Sequence, residues 1–478
     1  MEIEELSEMR RAKIIATIGP ASDNEAVIRK FLELNVDVLR INFSHGSRKE
    51  HLDIVNLIRK IANQIKFQPA ILLDLPGPKI RVGELPQGFV ELKSGEKVCL
   101  CSDQEKCSRD DIPVDVKDFE KIVKSQERIL LVDGRIELRV LEVKNERVIA
   151  EVKRGGILQS RQGINLPDSK LPFPPLTERD KDGIELAFAE DIDWLALSFV
   201  RMEEDLIELR DLVATRGEHM GVIAKIERPE AIRNIDRIIQ SADAVMVARG
   251  DLGVEMGVEE VPVLQKKIIS LCHLNARPSI VATQMLESMV ENPFPTRAEV
   301  SDIANAIYDG ADCVMLSDET AIGKYPVQAV EVMLEVIRKT EASIDYRNLA
   351  VARKPLGTEV YDALGHAVCM LACDLNPRAI IVATFSGFTA QMVAKYRPPY
   401  PIYAFTPNNL IRNKMNLIWG VRPFLAPYTE SIEELLDSAI VELKHQGLLQ
   451  KKDLIIFVAG LPLTEVSESN FIKVHEVE

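Results

Sequence analysis

Eight short apolar, β-branched runs recur along the chain, nearly all separated by an amphipathic stretch of helical length. They are "KIIATI" (13–18), "VDVLRIN" (36–42), "AILLD" (70–74), "DWLALSF" (193–199), "GVIAKIE" (221–227), "DAVMVA" (243–248), "SIVAT" (279–283) and "DCVMLS" (312–317). Strands that alternate with helices build βα units around a parallel sheet. Eight such units match, in number and size, a closed (β/α)8 barrel of the TIM type. A doubly wound open sheet is the alternative reading.

Residues 81–163 break this rhythm. Segments such as "GFVELKSGEKVCLC" and "RIELRVLEVKNERVIAEVKRGG" alternate with period two between tight turns. That pattern predicts a small antiparallel β domain, of the β-barrel kind, inserted after the third strand. From about 346 a further α/β segment begins, with strands expected at 379–384, 401–405 and 453–459. The expected organisation is therefore a barrel from 1–80 and 164–345, a β insert at 81–163 and a C-terminal α/β domain at 346–478.

The chain has 478 residues, 46% hydrophobic and 28% charged, and a formal charge of −15. This balance fits a globular protein and argues against a nucleic-acid binder, which would carry a basic face. An anionic substrate would have to be held by a few focused cations. No run reaches the ~18 apolar residues of a membrane span, and the N-terminal "MEIEELSEMRRAK" lacks the apolar core of a signal peptide. Seven irregularly spaced cysteines suggest neither a disulfide framework nor a zinc site. Cys99, Cys101 and Cys107 lack a CxxC pair or neighbouring histidine, and Cys369 and Cys373 read as helix core. A reducing cytoplasm is the simplest setting.

Active sites of such barrels lie at the C-terminal ends of the strands, and polar residues collect there. Arg40, Asn42 and Ser44 alternate after the second strand, so one face carries all three. Asp74 ends the third, Lys225 and Glu227 the fifth, Arg249 and Asp251 the sixth, and Thr283 the seventh. Ser317, followed by Asp318, Glu319 and Thr320, ends the eighth. Any one of these could be a turn residue or a structural ion pair, as Lys225 with Glu227. Six strand ends carrying ionisable or hydroxyl groups on one rim point instead to a ligand. The carboxylates of Glu227 and Asp251 suit Mg²⁺, which prefers oxygen ligands. Arg40 and Lys225 beside them suit a phosphoryl group.

"KIIATIGPAS", "RINFSHG", "GINLP", "AKIERPEAI", "VMVARGDLGVE", "ATQMLESM" and "PTRAEVSDIANAIYDGADCVMLSDETAIGKYP" together resemble the motifs of pyruvate kinases. The resemblance covers nearly the whole chain. It implies transfer of the phosphoryl group of phosphoenolpyruvate to ADP, giving pyruvate and ATP in the last step of glycolysis. It also implies a lid-like insert, an effector-binding C-terminal domain and usually a homotetramer. Position by position, Glu227 and Asp251 resemble the ligands of Mg²⁺ or Mn²⁺. Lys225 and Arg40 resemble the residues that hold the transferring phosphoryl group, and Arg249–Gly250 resembles the segment that helps hold phosphoenolpyruvate. Thr283 matches the threonine linked to enolate protonation. Pro20, Asn42, His45 and Arg81 fall where the family contacts nucleotide. Asn42, Ser44, Asp74 and the carbonyl of Leu75 fall where many members bind K⁺.

Two departures carry expectations. Members that depend on K⁺ generally have glutamate where this chain has Lys79, and Thr-Lys where it has Leu75-Pro76. A lysine there would supply covalently the charge that K⁺ supplies elsewhere, so the expectation is a K⁺-independent enzyme. In "VATFSGFTAQMVA" the resemblance implies an effector phosphate site at Thr384, Ser386, Gly387 and Thr389. Phe388 stands where members that bind sugar bisphosphates often carry a basic residue, which favours a monophosphate effector or weak regulation. A metal-dependent aldolase or lyase is one rival and a non-catalytic effector-binding protein another. The lid insert, the intact carboxylate pair and the retained lysine favour the kinase.

Overall fold

The computed structural model describes residues 10–102, 107–108, 111–144, 147–215, 220–355, 358–460 and 469–478. Its centre is a closed parallel barrel whose eight strands are Lys13–Ile18, Val38–Asn42, Ala70–Leu75, Trp194–Leu197, Gly221–Ile226, Ala244–Ala248, Ser279–Ala282 and Cys313–Leu316. Neighbours in sequence are neighbours in the barrel, and the first strand closes it against the eighth through Lys13↔Cys313 to Ala16↔Leu316. The open-sheet alternative is excluded.

The strands are apolar throughout because both faces are covered. One face packs against the surrounding helices, with Ile14, Ala16, Leu39, Ile41, Leu73 and Ile226 in that layer. The other fills the barrel with Ile15, Val38, Leu72, Ala196, Ile223, Met246 and Ile280. Period-two alternation carries that inward face upward to Thr17, Arg40, Asp74, Ser198 and Lys225. The interior is thus apolar below and charged above.

The insert forms mainly one seven-stranded sheet, ordered Ile80–Arg81, Gly163–Asn165, Arg128–Leu131, Ile136–Lys144, Arg147–Arg154, Lys97–Cys101, Ile112–Pro113. It has its own core around Leu100, Ile129, Leu138 and Val148. Its pairings are antiparallel except the last, where Lys97–Cys101 runs parallel to Ile112–Pro113. The insert also corrects the cysteine reading, since Cys101 and Cys107 are joined in a disulfide with Cα atoms 5.7 Å apart. Irregular spacing hid the pair, whose members are six residues apart in sequence.

The C-terminal sheet has five strands, ordered Val421–Leu425, Ile402–Thr406, Ala379–Ala383, Leu454–Gly460, Ser469–Glu476, the last antiparallel. Its two edges escape a sequence reading. "VRPFL" carries a proline, which edge strands tolerate, and "SNFIKVHE" is largely polar. This domain closes the bottom of the barrel. Leu417 joins the barrel's inner core, Lys13 Nζ donates to the Val421 carbonyl at 2.7 Å, and Arg397 pairs with Asp312 at 2.9 Å. Among the described residues, no helix is long and apolar enough to cross a membrane.

Candidate active site

Asp74 sits at the centre of the upper barrel, 2% exposed, between two cations. Arg40 Nε donates to Oδ2 at 2.8 Å, and its Nη1 donates to Thr17 Oγ1 at 2.9 Å. Lys225 Nζ lies 3.2 Å from Oδ1 of the same carboxylate. Burial alone would raise the Asp74 pKa, but the charges of Lys225 and Arg40 outweigh it and hold the group below its ordinary value. Lys225 also reaches Glu227 Oε1 at 3.0 Å and donates to Ser198 Oγ at 2.7 Å. Desolvation opposes its charge, yet Asp74 and Glu227 push its pKa upward, so it remains an ammonium.

Glu227 is 1% exposed, and its Oε2 accepts the Phe199 amide at 2.7 Å. Its pKa is raised, first by burial and further by Asp251, with Lys225 opposing. Two like charges in a dry pocket repel, so a cation between Glu227 and Asp251 would relieve both. Their hard oxygens suit Mg²⁺ or Mn²⁺.

Asp251 opens the barrel rim. Its carboxylate is 30% exposed and lies 3.8 Å from Lys79 Nζ. Lys79 follows a Pro-Gly-Pro turn whose Gly77 adopts φ 66°. The Gly77 amide donates to Asp180 Oδ1 at 3.0 Å. Asp180 also completes the capping box of helix Glu178–Ala189, so a helix terminus fixes the turn that aims Lys79 inward. The lysine crosses Gly163, where an added Cβ would stand 2.8 Å from Lys79 Cε. It is therefore not an outward-facing turn residue.

Arg249 departs from the sequence reading. Arg249 begins the helix Arg249–Met256 rather than extending the strand, so it does not share a face with Asp251. Its guanidinium pairs with Asp302 at 2.7 Å and donates to the Thr283 carbonyl at 2.8 Å. Asp302 rides on helix Arg297–Asp309, started by the Thr296–Glu299 capping box. Arg249 thus ties two strand ends together. The Gly250 amide donates to Thr283 Oγ1 at 2.8 Å. Thr283 has φ 72° and Phe199 φ 56°, strained values for side chains of their bulk, of the kind that gather at functional sites.

Glu319 is also claimed by structure. It is 1% exposed and accepts the amides of Leu286 and Ser317 at 2.9 and 2.7 Å. Thr320 exchanges hydrogen bonds with the Thr17 backbone. Asn42 Oδ1 accepts the Ser44 amide at 3.1 Å, and the Leu75 carbonyl accepts Ser198 Oγ at 2.7 Å. Pro20 and His45 are exposed on the loops after the first two strands. Arg81 pairs across the lid junction with Gly163, its Nη1 donating to the Arg161 carbonyl at 3.1 Å.

Ser198 was missing from the sequence reading, although its position, one step beyond the fourth strand on the inward face, was the available signal. In the C-terminal domain, Thr384 Oγ1 accepts the Gly387 amide at 2.9 Å and Ser386 Oγ accepts the Phe388 amide at 3.4 Å. Gly387 precedes helix Phe388–Lys395, and Thr389 is buried at its start.

A (β/α)8 barrel whose rim joins a buried lysine, an arginine and two metal-suited carboxylates is the architecture of a barrel phosphotransferase. The family model "Pyruvate kinase, barrel domain" matches residues 9–330, and "Pyruvate kinase, alpha/beta domain" matches residues 362–475. The chain belongs to the pyruvate kinase family. It is 42% identical over 472 residues to a pyruvate kinase of Geobacillus stearothermophilus, covering 98% of this chain and 80% of that one. A pyruvate kinase of Agrobacterium vitis is 43% identical over 470 residues, covering 97% and 98%. The crystal structure of a pyruvate kinase from Cryptosporidium parvum superposes with a TM-score of 0.93 at 32% identity, covering 100% and 98%.

Proposed function

We propose that this chain transfers the phosphoryl group of phosphoenolpyruvate to ADP in the last step of glycolysis, using Mg²⁺ or Mn²⁺ and needing no K⁺. The observation that carries the reading is Lys225, buried between Asp74 and Glu227 and held on Ser198, with Lys79 reaching Asp251 from the other side. Glu227 and Asp251 would hold the divalent ion, which when bound supplies positive charge to phosphate oxygens. Lys225 and Arg40 orient the phosphoryl group and offset charge as its bond to the enolate oxygen breaks. Thr283, fixed by the Gly250 amide, positions the donor of the proton that the enolate carbon collects. Arg249 acts as a positioning residue, through the Thr283 backbone.

ADP would enter past Pro20, Asn42, His45 and Arg81, beneath a lid at about 81–163 that excludes water and so prevents hydrolysis. The remaining segments, 1–80 with 164–345 and 346–478, serve as catalytic and effector domains of a cytoplasmic homotetramer. A monophosphate effector would sit at Thr384, Ser386, Gly387 and Thr389. Phe388 packs edge-on against Tyr361, with ring centroids 5.0 Å apart, and offers a second phosphate no charge. Asn42, Ser44, Asp74 and Leu75 are the K⁺ cage by resemblance, here superseded by Lys79.

ADP-dependent pyruvate formation from phosphoenolpyruvate tests the reading. Turnover that requires both substrates and a divalent ion, with ATP formed one for one, is expected. Enolate chemistry without ADP would favour the aldolase or lyase, and no turnover the effector-binding protein.

A further inference from the structure

The insert gathers sulfur and carboxylate groups that the phosphotransfer chemistry does not use. Cys101 Sγ, Cys107 Sγ and a carboxylate oxygen of Asp111 all lie within 4.8 Å of one another. Cys101 and Asp111 are buried, 2% and 8% exposed. Cys101 ends strand Lys97–Cys101, and Asp111 immediately precedes that strand's parallel partner, Ile112–Pro113. Asp111 accepts the Ser108 amide at 2.7 Å, and Arg147 Nη2 stands 3.3 Å from the same oxygen. Once the disulfide is opened, two sulfurs and a carboxylate oxygen would face one another at ligand spacing.

We propose that the reduced lid binds one zinc-like divalent cation through Cys101, Cys107 and Asp111, with solvent in the fourth position. Two thiolates and a carboxylate select a borderline-soft ion over Mg²⁺ or Ca²⁺. With a divalent ion the ligand set carries one net negative charge, which Arg147 offsets. Cys99 lies on the same strand face as Cys101 but outside the Cys101, Cys107 and Asp111 cluster, so it is not a ligand.

The disulfide must first open. It takes up two electrons and two protons from a dithiol reductant, which itself becomes a disulfide, and the thiol protons leave to solvent as metal binds.

The test uses the full chain, reduced with a dithiol that is then removed under inert gas, and Co²⁺ as probe. A thiolate-to-Co²⁺ charge-transfer band is expected, saturating at one ion per chain and bleached by Zn²⁺. Cys99→Ser should keep the band, Asp111→Asn should weaken binding, and the double variant Cys101→Ser with Cys107→Ser should lose the band. The unreduced chain, which has no free thiolate at the site, should show none and serves as control if the double variant fails to fold. No band in the reduced chain overturns the proposal, as does a band that survives in either control or is lost in Cys99→Ser.

Discussion

Lys225 and Glu227, two residues apart at the end of one strand, meet as a buried ion pair with Nζ 3.0 Å from Oε1. Neither has left its post, because the same lysine is also bound to Ser198 and Asp74. An ammonium shared among three oxygen groups is preorganised, so little rearrangement is needed when charge develops on a substrate.

Lys225→Met should therefore lower kcat far more than it raises the KM for phosphoenolpyruvate. Loss of one such electrostatic contact typically costs ~10²–10³ in rate. Steady-state kinetics decide the point, since a change confined to KM would make Lys225 a binding residue only. The same variant leaves Asp74 with Arg40 alone.

Glu227→Gln and Asp251→Asn should each cut turnover by about 10³-fold or more, because metal-borne charge stabilisation is worth several kcal/mol. Circular dichroism should be unchanged, and Mn²⁺ binding followed by electron paramagnetic resonance should weaken in both. Near-normal activity with Mg²⁺ in either variant would remove that residue from the metal site.

All eight barrel strands were legible because each is a short apolar run ending in a polar residue, and burial on both faces forces that composition. Alternation at the strand ends correctly joined Arg40, Asp74, Lys225 and Glu227 on the inner face. It failed at Arg249, where the chain turns helical one residue earlier than alternation requires. Glu319, which the sequence places only just past the eighth strand, also meets the Leu286 amide 33 residues away, a contact that no local pattern reports. The cysteine pair of the insert stayed hidden for a different reason, since two cysteines six residues apart without a CxxC spacing carry no pairing signal. Local patterns report which face a residue takes, and long-range contacts decide what it meets there.

Asp193 joins the barrel to the C-terminal domain, and this joint should be pH-dependent. Its carboxylate is buried, accepting the Ile71 amide at 2.7 Å and Asn413 Nδ2 at 2.9 Å. Burial pushes its pKa up to about 7 from the ordinary 3.8, against the lowering effect of those hydrogen bonds and of Arg59 and Arg412. A group whose folded pKa is raised contributes stability that is fully present below its unfolded pKa and is lost as pH rises through the folded value. Between those two values it should destabilise the fold by about 1.4 kcal/mol per pH unit. Asp193→Asn, which lacks one acceptor oxygen, should be least stable relative to the natural chain near pH 4. Its deficit should shrink as pH approaches neutrality. Denaturant titrations across that range measure it, and a pH-independent difference would show that Asp193 does not titrate there.

Lys79 carries the last prediction. Its ammonium stands 3.8 Å from Asp251 and 29% exposed, aimed inward by the Gly77 turn and allowed past by Gly163. A monovalent ion near Asn42, Ser44 and Asp74 would meet this charge and those of Arg40 and Lys225, which already engage the Asp74 carboxylate. Like charges in a partly dry site are costly, so K⁺ has little to gain there. A covalent ammonium is also independent of ion concentration. The natural enzyme should therefore turn over equally in K⁺ and in a bulky organic cation at matched ionic strength, with a divalent ion present in both. Lys79→Glu should be slow in the organic cation and recover specifically with K⁺, whereas Lys79→Met should be slow in both. Strong activation of the natural enzyme by K⁺ would show that the cage is intact and that Lys79 serves only to pair with Asp251.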